Sequence, residues 1–389
     1  MSSGLSKENI KLPVSLGQVE GKLEITVFYP FISSFGGIER LLVDLHQECL
    51  KRGITVRLLC FVSKVDFADY GAAELQVTVL KGPRNLLSET LRLRRFCRQY
   101  CPARLLVMEM CGVIYCSALQ NKYCLHIADT PALLPRDISK HAWSYPASPQ
   151  HANYNASLTQ KFKGEISYRL IRRGIARAQS RLTMTARNCA ELQRVFGLPF
   201  VYSWPGIAEA SMPMAAHPAT CRFLSVCRLE PSKRVDWIIR AFAQLPMSLR
   251  SAARLDIVGE GTSRAALENL AANLGVSDTV QFHGHVSDSV LEQCYNDGSV
   301  FVMPARQGYG LPGLEALLRG LRLIVHSESG VSEALQTCER AKVIADTPSL
   351  AAAMQLYCQT HDITRRISVN PRPRAAWVRE LLERFGWDK

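Results

Sequence analysis

Short apolar runs alternate along this chain with longer segments whose apolar residues recur at helical spacing. Glu24-Ile25-Thr26-Val27-Phe28-Tyr29 is the first run, brief and partly β-branched, as a strand requires. A loop leads through Gly36-Gly37. Ile38, Leu41, Leu42, Leu45 and Cys49 then return at helical intervals until Gly53 stops them. Ile54 to Val62 is the next strand, so the chain opens as a strand–helix–strand unit. Leu86 to Cys101, Phe162 to Leu182 and Arg187 to Phe196 read as helices, with a short strand at Leu182 to Thr185. Between 204 and 220 the composition turns to Pro, Ala, Met and Gly, which marks a linker.

Beyond the linker the alternation is regular. Strands are predicted at Arg222–Cys227, Arg254–Val258, Thr279–Phe282, Ser299–Met303 and Leu321–Val325. Helices at Val235–Leu245, Thr262–Leu274, Ser287–Asn296 and Leu311–Arg319 fall between them. Such alternation builds a parallel sheet covered on both faces. The expected fold class is α/β, with two doubly wound, Rossmann-like domains over 22–203 and 221–370. Residues 1–21 are polar and aperiodic and read as a loose tail, and 371–389 carry a final helix.

Composition narrows the partners. At 47% hydrophobic and 21% charged residues the chain resembles an ordinary soluble protein. No apolar run reaches the roughly 20 residues of a membrane span, since Leu105 to Leu119 is broken by Glu109 and Gly112. No basic start with a compact apolar core follows the N-terminus, so no signal peptide is expected. Thirteen cysteines without CxxC pairs suggest reduced thiols and a cytoplasmic location. A net charge of +13 fits phosphorylated substrates, an anionic membrane surface or nucleic acid. Without a zinc finger or an aromatic-studded RNA motif, nucleic acid is not an expected partner. Arg92, Arg95 and Arg98 line one predicted helix, and Arg169, Arg173, Arg177 and Arg181 another. Each stripe is either a solvated face or a basic surface apposed to anionic lipid.

The candidate chemistry collects where predicted strands end. Ser299 to Met303 runs into Pro304-Ala305-Arg306-Gln307-Gly308-Tyr309-Gly310-Leu311-Pro312-Gly313-Leu314-Glu315. Glycines that release backbone amides ahead of a helix make an anion site suited to phosphate. Glu315, one turn in, can accept hydrogen bonds from sugar hydroxyls. Arg228 and Lys233, after the first strand of this half, suit a diphosphate. Val258-Gly259-Glu260-Gly261 and His283-Gly284-His285-Val286 close the next two strands. In the first half, Tyr123 to Ile127 leads into Ala128-Asp129-Thr130-Pro131. A lone histidine there, His126, is structural more often than chemical, and Asp129 is either an acceptor contact or a turn carboxylate. Pro135 to Gly164 reads as a long loop beside an acceptor cleft. The chain has no DxD and no HExxH motif, so no metal site is expected.

The Gln307-to-Glu315 wording resembles the signature of retaining GT-B glycosyltransferases of the large family 4 type, which includes sucrose synthases and bacterial lipopolysaccharide and mannosyl transferases. In that signature two glutamates, seven residues apart, flank Gly-Phe/Tyr-Gly-Leu-Pro. Glu315 matches the second acid and Tyr309 the aromatic, whereas Gln307 stands where the first acid belongs. The resemblance runs over roughly 24–345. It implies two domains facing a central cleft and a nucleotide-diphosphate sugar, such as a UDP- or GDP-sugar, as substrate, with no cofactor. It implies that Arg228 and Lys233 hold the donor diphosphate and that Val286 meets the base through its backbone. The Gly308, Tyr309, Gly310 and Leu311 segment would meet sugar and phosphate, beside Gln307, and Glu315 the ribose. Gly36 and Gly37 would face the phosphates across the cleft, with Gly259 on the same rim. His126 would orient the donor hexose as the catalytic-side residue, with Asp129 toward the acceptor. The turn Ser329-Gly330-Val331-Ser332-Glu333 matches a further family element taken as structural. The implied reaction transfers a sugar, with retention, to a glycan or lipid-linked acceptor in cell-surface polysaccharide or lipopolysaccharide synthesis. Its place would be the cytoplasm, peripheral on the inner face of the membrane. The alternative is a catalytically weakened GT-B subunit acting as a partner or regulator, and Gln307 is its main support.

Overall fold

The computed structural model describes residues 23–128, 158–206, 220–360 and 372–388, with side chains of the helix at 158–177 described from residue 166. The first domain runs β1 (Glu24–Phe28), β2 (Phe31–Ile32), α1 (Gly37–Leu50), β3 (Thr55–Cys60), β4 (Val62–Ser63), β5 (Gln76–Val79) and α2 (Leu86–Tyr100). It continues through β6 (Leu105–Met108), α3 (Glu109–Cys116), β7 (Cys124–Ile127), α4 (Leu158–Arg177), β8 (Ser180–Thr183), α5 (Ala186–Phe196) and β9 (Val201–Tyr202). The second comprises β10 (Arg222–Val226), α6 (Val235–Ala243), α7 (Met247–Arg250), β11 (Arg254–Val258), α8 (Arg264–Asn273), β12 (Val280–Gly284) and α9 (Asp288–Asp297). After them come β13 (Val300–Met303), α10 (Leu311–Leu318), β14 (Arg322–His326), β15 (Ala341–Ile344), α11 (Thr347–Gln359) and α12 (Arg374–Phe385).

Two parallel sheets result, in the orders β5-β3-β1-β6-β7-β8-β9 and β12-β11-β10-β13-β14-β15. Strand side chains alternate between layers as the pleat dictates. Leu105 and Val107 of β6 enter the core under α2 to α4, while Leu106 and Met108 enter the core shared with α1 and α12. That shared core crosses the domain boundary, taking in Phe301, Met303 and Leu314 as well. The expected two-domain α/β arrangement is therefore present.

Two local differences have physical causes. The helix expected over Phe162 to Leu182 ends at Arg177, and Arg181 lies on β8, paired with Leu125. Arg92 is 11% exposed and stacks over the Phe61 ring at 5.3 Å, so it is a packing residue and only Arg95 and Arg98 of its stripe face solvent. The predicted tail at 1–21, most of the linker and the loop expected at 135–157 lie outside the described residues; 158–164, expected as the end of that loop, belong to α4.

The final helix returns to the first domain and docks on α1. Trp377, Val378, Leu381, Leu382 and Phe385 form its buried stripe. Each such side chain contributes about 1.5–3 kcal/mol when buried. Beside the stripe, Arg374 Nε lies 2.9 Å from Asp44 Oδ1, and its Nη1 donates to Gln47 Oε1 at 2.9 Å. Burial pushes the Asp44 carboxyl up from 3.8 to about 6, against the pull of Arg374 and Arg40. A raised carboxyl pKa means that the fold resists the charge. The penalty is absent below about pH 4 and full above about pH 6. Asp44→Asn is therefore expected to stabilise the protein at pH 8, by up to about 3 kcal/mol, and to change little at pH 4. Urea unfolding at the two pH values checks this, and an equal shift at both contradicts it.

Candidate functional site

The strands of the second sheet all end on one side. Helices α6, α8 and α11 cover one face and α9 and α10 the other, so neighbouring strands β10 and β13 send their chains to opposite sides. Ligands of open α/β sheets settle at such a switch point. Arg228 follows β10 and is exposed there. Its loop is shaped by Gly259, whose φ of +130° and lack of a side chain let Cys227 come close; a Cβ would sit 1.9 Å from the Cys227 carbonyl oxygen. Gly259 therefore supports the Arg228 loop by packing.

A short 3-10 turn, Pro231–Lys233, follows Arg228 and brings Lys233 across to the β13 loop. Lys233 Nζ donates to Gln307 Oε1 at 3.0 Å. The other end of that amide is also engaged, with Nε2 2.9 Å from Met303 Sδ and 3.4 Å from Ser329 Oγ. Arg234, by contrast, is paired with Glu328 at 2.7 Å and stacked on Trp237.

Backbone polarity decides what the β13 loop can do. The Gln307 carbonyl accepts from Gly330 N at 3.2 Å, and the Tyr309 carbonyl from Val331 N and Ser329 Oγ, both at 2.8 Å. The amides of Gly308, Tyr309 and Gly310 have no hydrogen-bond partner among the described residues. Gly310, at φ +116°, opens α10 with no side-chain cap. The result is a row of donors at a helix start, positioned for an anion. Leu311 is buried at the first turn, and Val286 is half-buried against the shared core.

The first domain supplies the opposite wall. Gly36 caps α1, and around Gly37 the space that a Cβ would take is open. Glu39, in the first turn, is buried, and burial raises its pKa; hydrogen bonds at the helix start and the Arg228 guanidinium act the other way. Arg40 Nη1 meets Glu315 Oε1 at 2.5 Å, joining α1 to α10 across the gap. The structure thus brings together Gly36, Gly37, Arg228, Lys233, Gln307, Gly308, Tyr309, Gly310 and Glu315. Asp129 lies outside the described residues.

His126 lies buried in the first domain. It sits inside β7, two residues before Ala128, on the face that packs on α12. Its side chain is 1% exposed, and the ring meets Trp377 edge to face at 6.0 Å. Neither ring nitrogen has a partner among the described residues. Ala128, just past the strand, is buried as well. At this depth the histidine packs against Trp377 of α12. Arg40 was in plain sight within Gly-Gly-Ile-Glu-Arg, and Ser329 within the turn taken as structural, whereas the contacts of Glu109 and Asn188 are revealed only by the meeting of distant segments.

Comparison with known proteins agrees with this geometry. Residues 219–368 match the family described as Glycosyl transferases group 1, so the second domain is a domain of that family. A D-inositol 3-phosphate glycosyltransferase of Streptomyces scabiei is 29% identical over 172 residues, covering 41% of this chain and 37% of that protein. The chain matches only 29% to 41% of the length of such curated relatives. Among solved structures, the lipopolysaccharide-biosynthesis glycosyltransferase WaaG aligns with a TM-score of 0.63 at 18% identity, over 87% of this chain and 96% of its own. Anabaena HepE, solved with UDP and glucose, aligns with a TM-score of 0.65 at 15% identity, over 93% and 95%. The architecture is GT-B.

Burial holds the His126 pKa down at about 4. Acid therefore protonates the unfolded imidazole first, and stability falls from about pH 6.5 to pH 4 by up to about 1.4 kcal/mol per pH unit. The His126 ring protons are expected to keep one chemical shift from pH 8 to pH 5 in an NMR titration. A midpoint near 6.5 would place the ring in solvent and overturn its assignment to the α12 packing.

Proposed function

We propose that the chain is a retaining glycosyltransferase, moving a sugar from a nucleotide-diphosphate sugar to a hydroxyl of a glycan or lipid-linked acceptor. The observation that carries this reading is the hydrogen bond that draws Lys233, from the loop that also carries Arg228, to the β13 loop, whose amides from Gly308 to Gly310 have no partner among the described residues. On this reading the two side-chain cations and the unpartnered amides serve one space, where a leaving diphosphate gathers charge. The chain's own cations can serve that charge, and the reaction is read as metal-independent. Retention follows the family 4 resemblance, in which the acceptor attacks from the face that the diphosphate leaves. Closure of the domains excludes water, and hence hydrolysis.

Glu315 is read as the ribose contact. Its carboxylate is held by Arg40 at 2.5 Å, so a nucleotide must share or displace that pair. The pair is exposed on the Arg40 side and worth roughly 0.2–1 kcal/mol, which a ribose contact can replace. HepE was solved with UDP and glucose, and WaaG is involved in lipopolysaccharide biosynthesis; these support a nucleotide-sugar donor and a cell-surface product. The second reading, a weakened subunit, has Gln307 in its favour. The amide there is nonetheless built into the site through Lys233, Met303 and Ser329, as a selective contact would be. We read it as selecting a donor with a different pattern of groups, such as a deoxy or otherwise modified hexose.

A panel of nucleotide sugars, screened by thermal shift and then by product analysis, tests the activity. Arg228→Ala and Lys233→Ala are each expected to lower turnover about ten- to a hundredfold, a charged hydrogen bond being worth roughly 1.5–3 kcal/mol. Gln307→Glu is expected to change the ranking of donors. Unaltered kinetics in folded alanine variants remove the diphosphate assignment, and a uniform gain in Gln307→Glu marks the glutamine as a defect.

Peripheral attachment to an anionic membrane belongs to the same proposal. On α2, Leu87 and Leu91 are exposed beside Arg95 and Arg98, and on α4 Arg169, Arg173 and Arg177 face solvent. Among the described residues no helix is long and apolar enough to cross a membrane. Vesicles with phosphatidylserine are expected to sediment the protein, and neutral ones not, with binding lost in high salt. Equal binding to both kinds contradicts the attachment.

A further inference from the structure

Three successive carbonyls set the direction of the donor row, and they are not all held by the same domain. Those of Gln307 and Tyr309 are fixed by Gly330, Val331 and Ser329 of the second domain. The middle one, Gly308, lies 3.4 Å from the side-chain nitrogen of Asn188, on α5 of the first domain. A trans peptide points its C=O and N–H in opposite directions. Holding the Gly308 carbonyl toward α5 therefore turns the Tyr309 amide the other way, away from α5.

Asn188 is built for this position. It is fully buried, and its backbone amide donates to the Thr185 hydroxyl that caps α5, at 3.1 Å. The same side-chain nitrogen donates to the Ala128 carbonyl at 3.1 Å. Ala128 N in turn donates to Glu109 Oε1 at 2.7 Å. Glu109 is 0% exposed, at the end of β6, with a φ of +63° that a non-glycine residue adopts only under constraint. A chain of polar contacts thus runs from the β6 and β7 ends of the first domain, through Asn188, to the middle of the donor row.

The start of α5 is clamped to the second domain from both sides. Glu333 accepts from the amides of Ala186 and Arg187 at 3.0 and 2.8 Å, and the Arg187 guanidinium donates to the Ser327 carbonyl. The Ser329-to-Glu333 turn expected to be structural is the second domain's half of this clamp. Asn188 reaches Gly308 only while α5 and the second domain are engaged.

We propose that Asn188 is a positioning residue for sugar transfer, which turns the Tyr309 amide toward the donor when the two domains meet. This rests on the glycosyltransferase reading. It adds that the donor site is completed by a side chain of the opposite domain, so that engagement of the domains and readiness of the diphosphate site are one event. Of the two functional groups on Asn188, the NH₂ carries the role, because both contacts are to carbonyl oxygens.

Asn188→Asp separates position from shape. The side chain keeps its size, but an oxygen replaces the NH₂ and faces two carbonyl oxygens. Binding of UDP and GDP by calorimetry, kcat and KM on the best donor, and thermal melting would be measured from pH 5 to 8. Expected are a folded variant, nucleoside diphosphate binding weakened about tenfold or more at pH 8, and partial recovery toward pH 5. Recovery follows because a protonated carboxyl donates again; the wild type is expected to show no such rise. Asn188→Leu, without any donor, is expected to stay weak at every pH. Asp and Leu variants that bind and turn over like the wild type overturn the proposal, and so does a loss that follows melting temperature alone. A wild type that binds neither nucleotide and uses no donor instead overturns the glycosyltransferase reading, and the role of Asn188 falls with it.

Discussion

The contact on which the site depends is the approach of Gly330 to Gly308. A Cβ on Gly330 would lie 2.0 Å from the Gly308 carbonyl oxygen, so no larger residue fits without moving the loop. This closeness lets the β14 loop run beside the β13 loop as a short parallel bridge, Gln307 to Ser329. The bridge occupies carbonyls and leaves amides. A loop that would otherwise hydrogen-bond to itself or to water becomes a fixed comb of donors. The reorganisation an anion would demand is then made during folding, where many contacts share the cost.

Charge at the rim is arranged in cross-domain pairs of unequal strength. Arg228 faces a buried Glu39 that resists ionisation, and Arg40 holds Glu315 in a partly exposed pair. Arg234 is different, because Glu328 and the Trp237 ring fix it, and it has no freedom to follow a ligand. A diphosphate entering this rim meets Arg228 opposite a carboxyl that burial makes harder to ionise, and Arg40 in a pair open to water.

Much of this was legible in the chain, for reasons that can be named. Strand and helix periodicity carry the α/β order, because buried parallel strands such as Val300–Met303 and the stripe of α12 must be apolar in any sequence that forms them. The glycine loop before α10 was legible because special backbone geometry leaves a residue-type mark. The depth of His126 was not. How deep residue 126 sits depends on where β7 ends, and a shift of two residues leaves the alternation unchanged. Asn188 was hidden for another reason. Its partners Ala128 and Gly308 lie 60 and 120 residues away, and nothing in the local pattern of α5 distinguishes a clamped helix start from a free one.

Gln307 joins these points. A glutamate there would neutralise Lys233 before any ligand arrived, since the two side chains meet at 3.0 Å. Glutamine keeps the hydrogen bond that aims the ammonium and leaves its charge uncompensated by that partner. Its NH₂, lying near Met303 Sδ and Ser329 Oγ, fixes the amide's orientation, so the carbonyl is turned to Lys233 by construction. Ser329 is shared, because its hydroxyl also holds the Tyr309 carbonyl that directs the donor row. The residue that departs from the family signature is thus wired to the same hydroxyl that sets the backbone amides. A change at 307 acts on the cation and on the comb together. That coupling favours a tuned site over an eroded one, since loss of function would not require the substituted amide to be held at both ends.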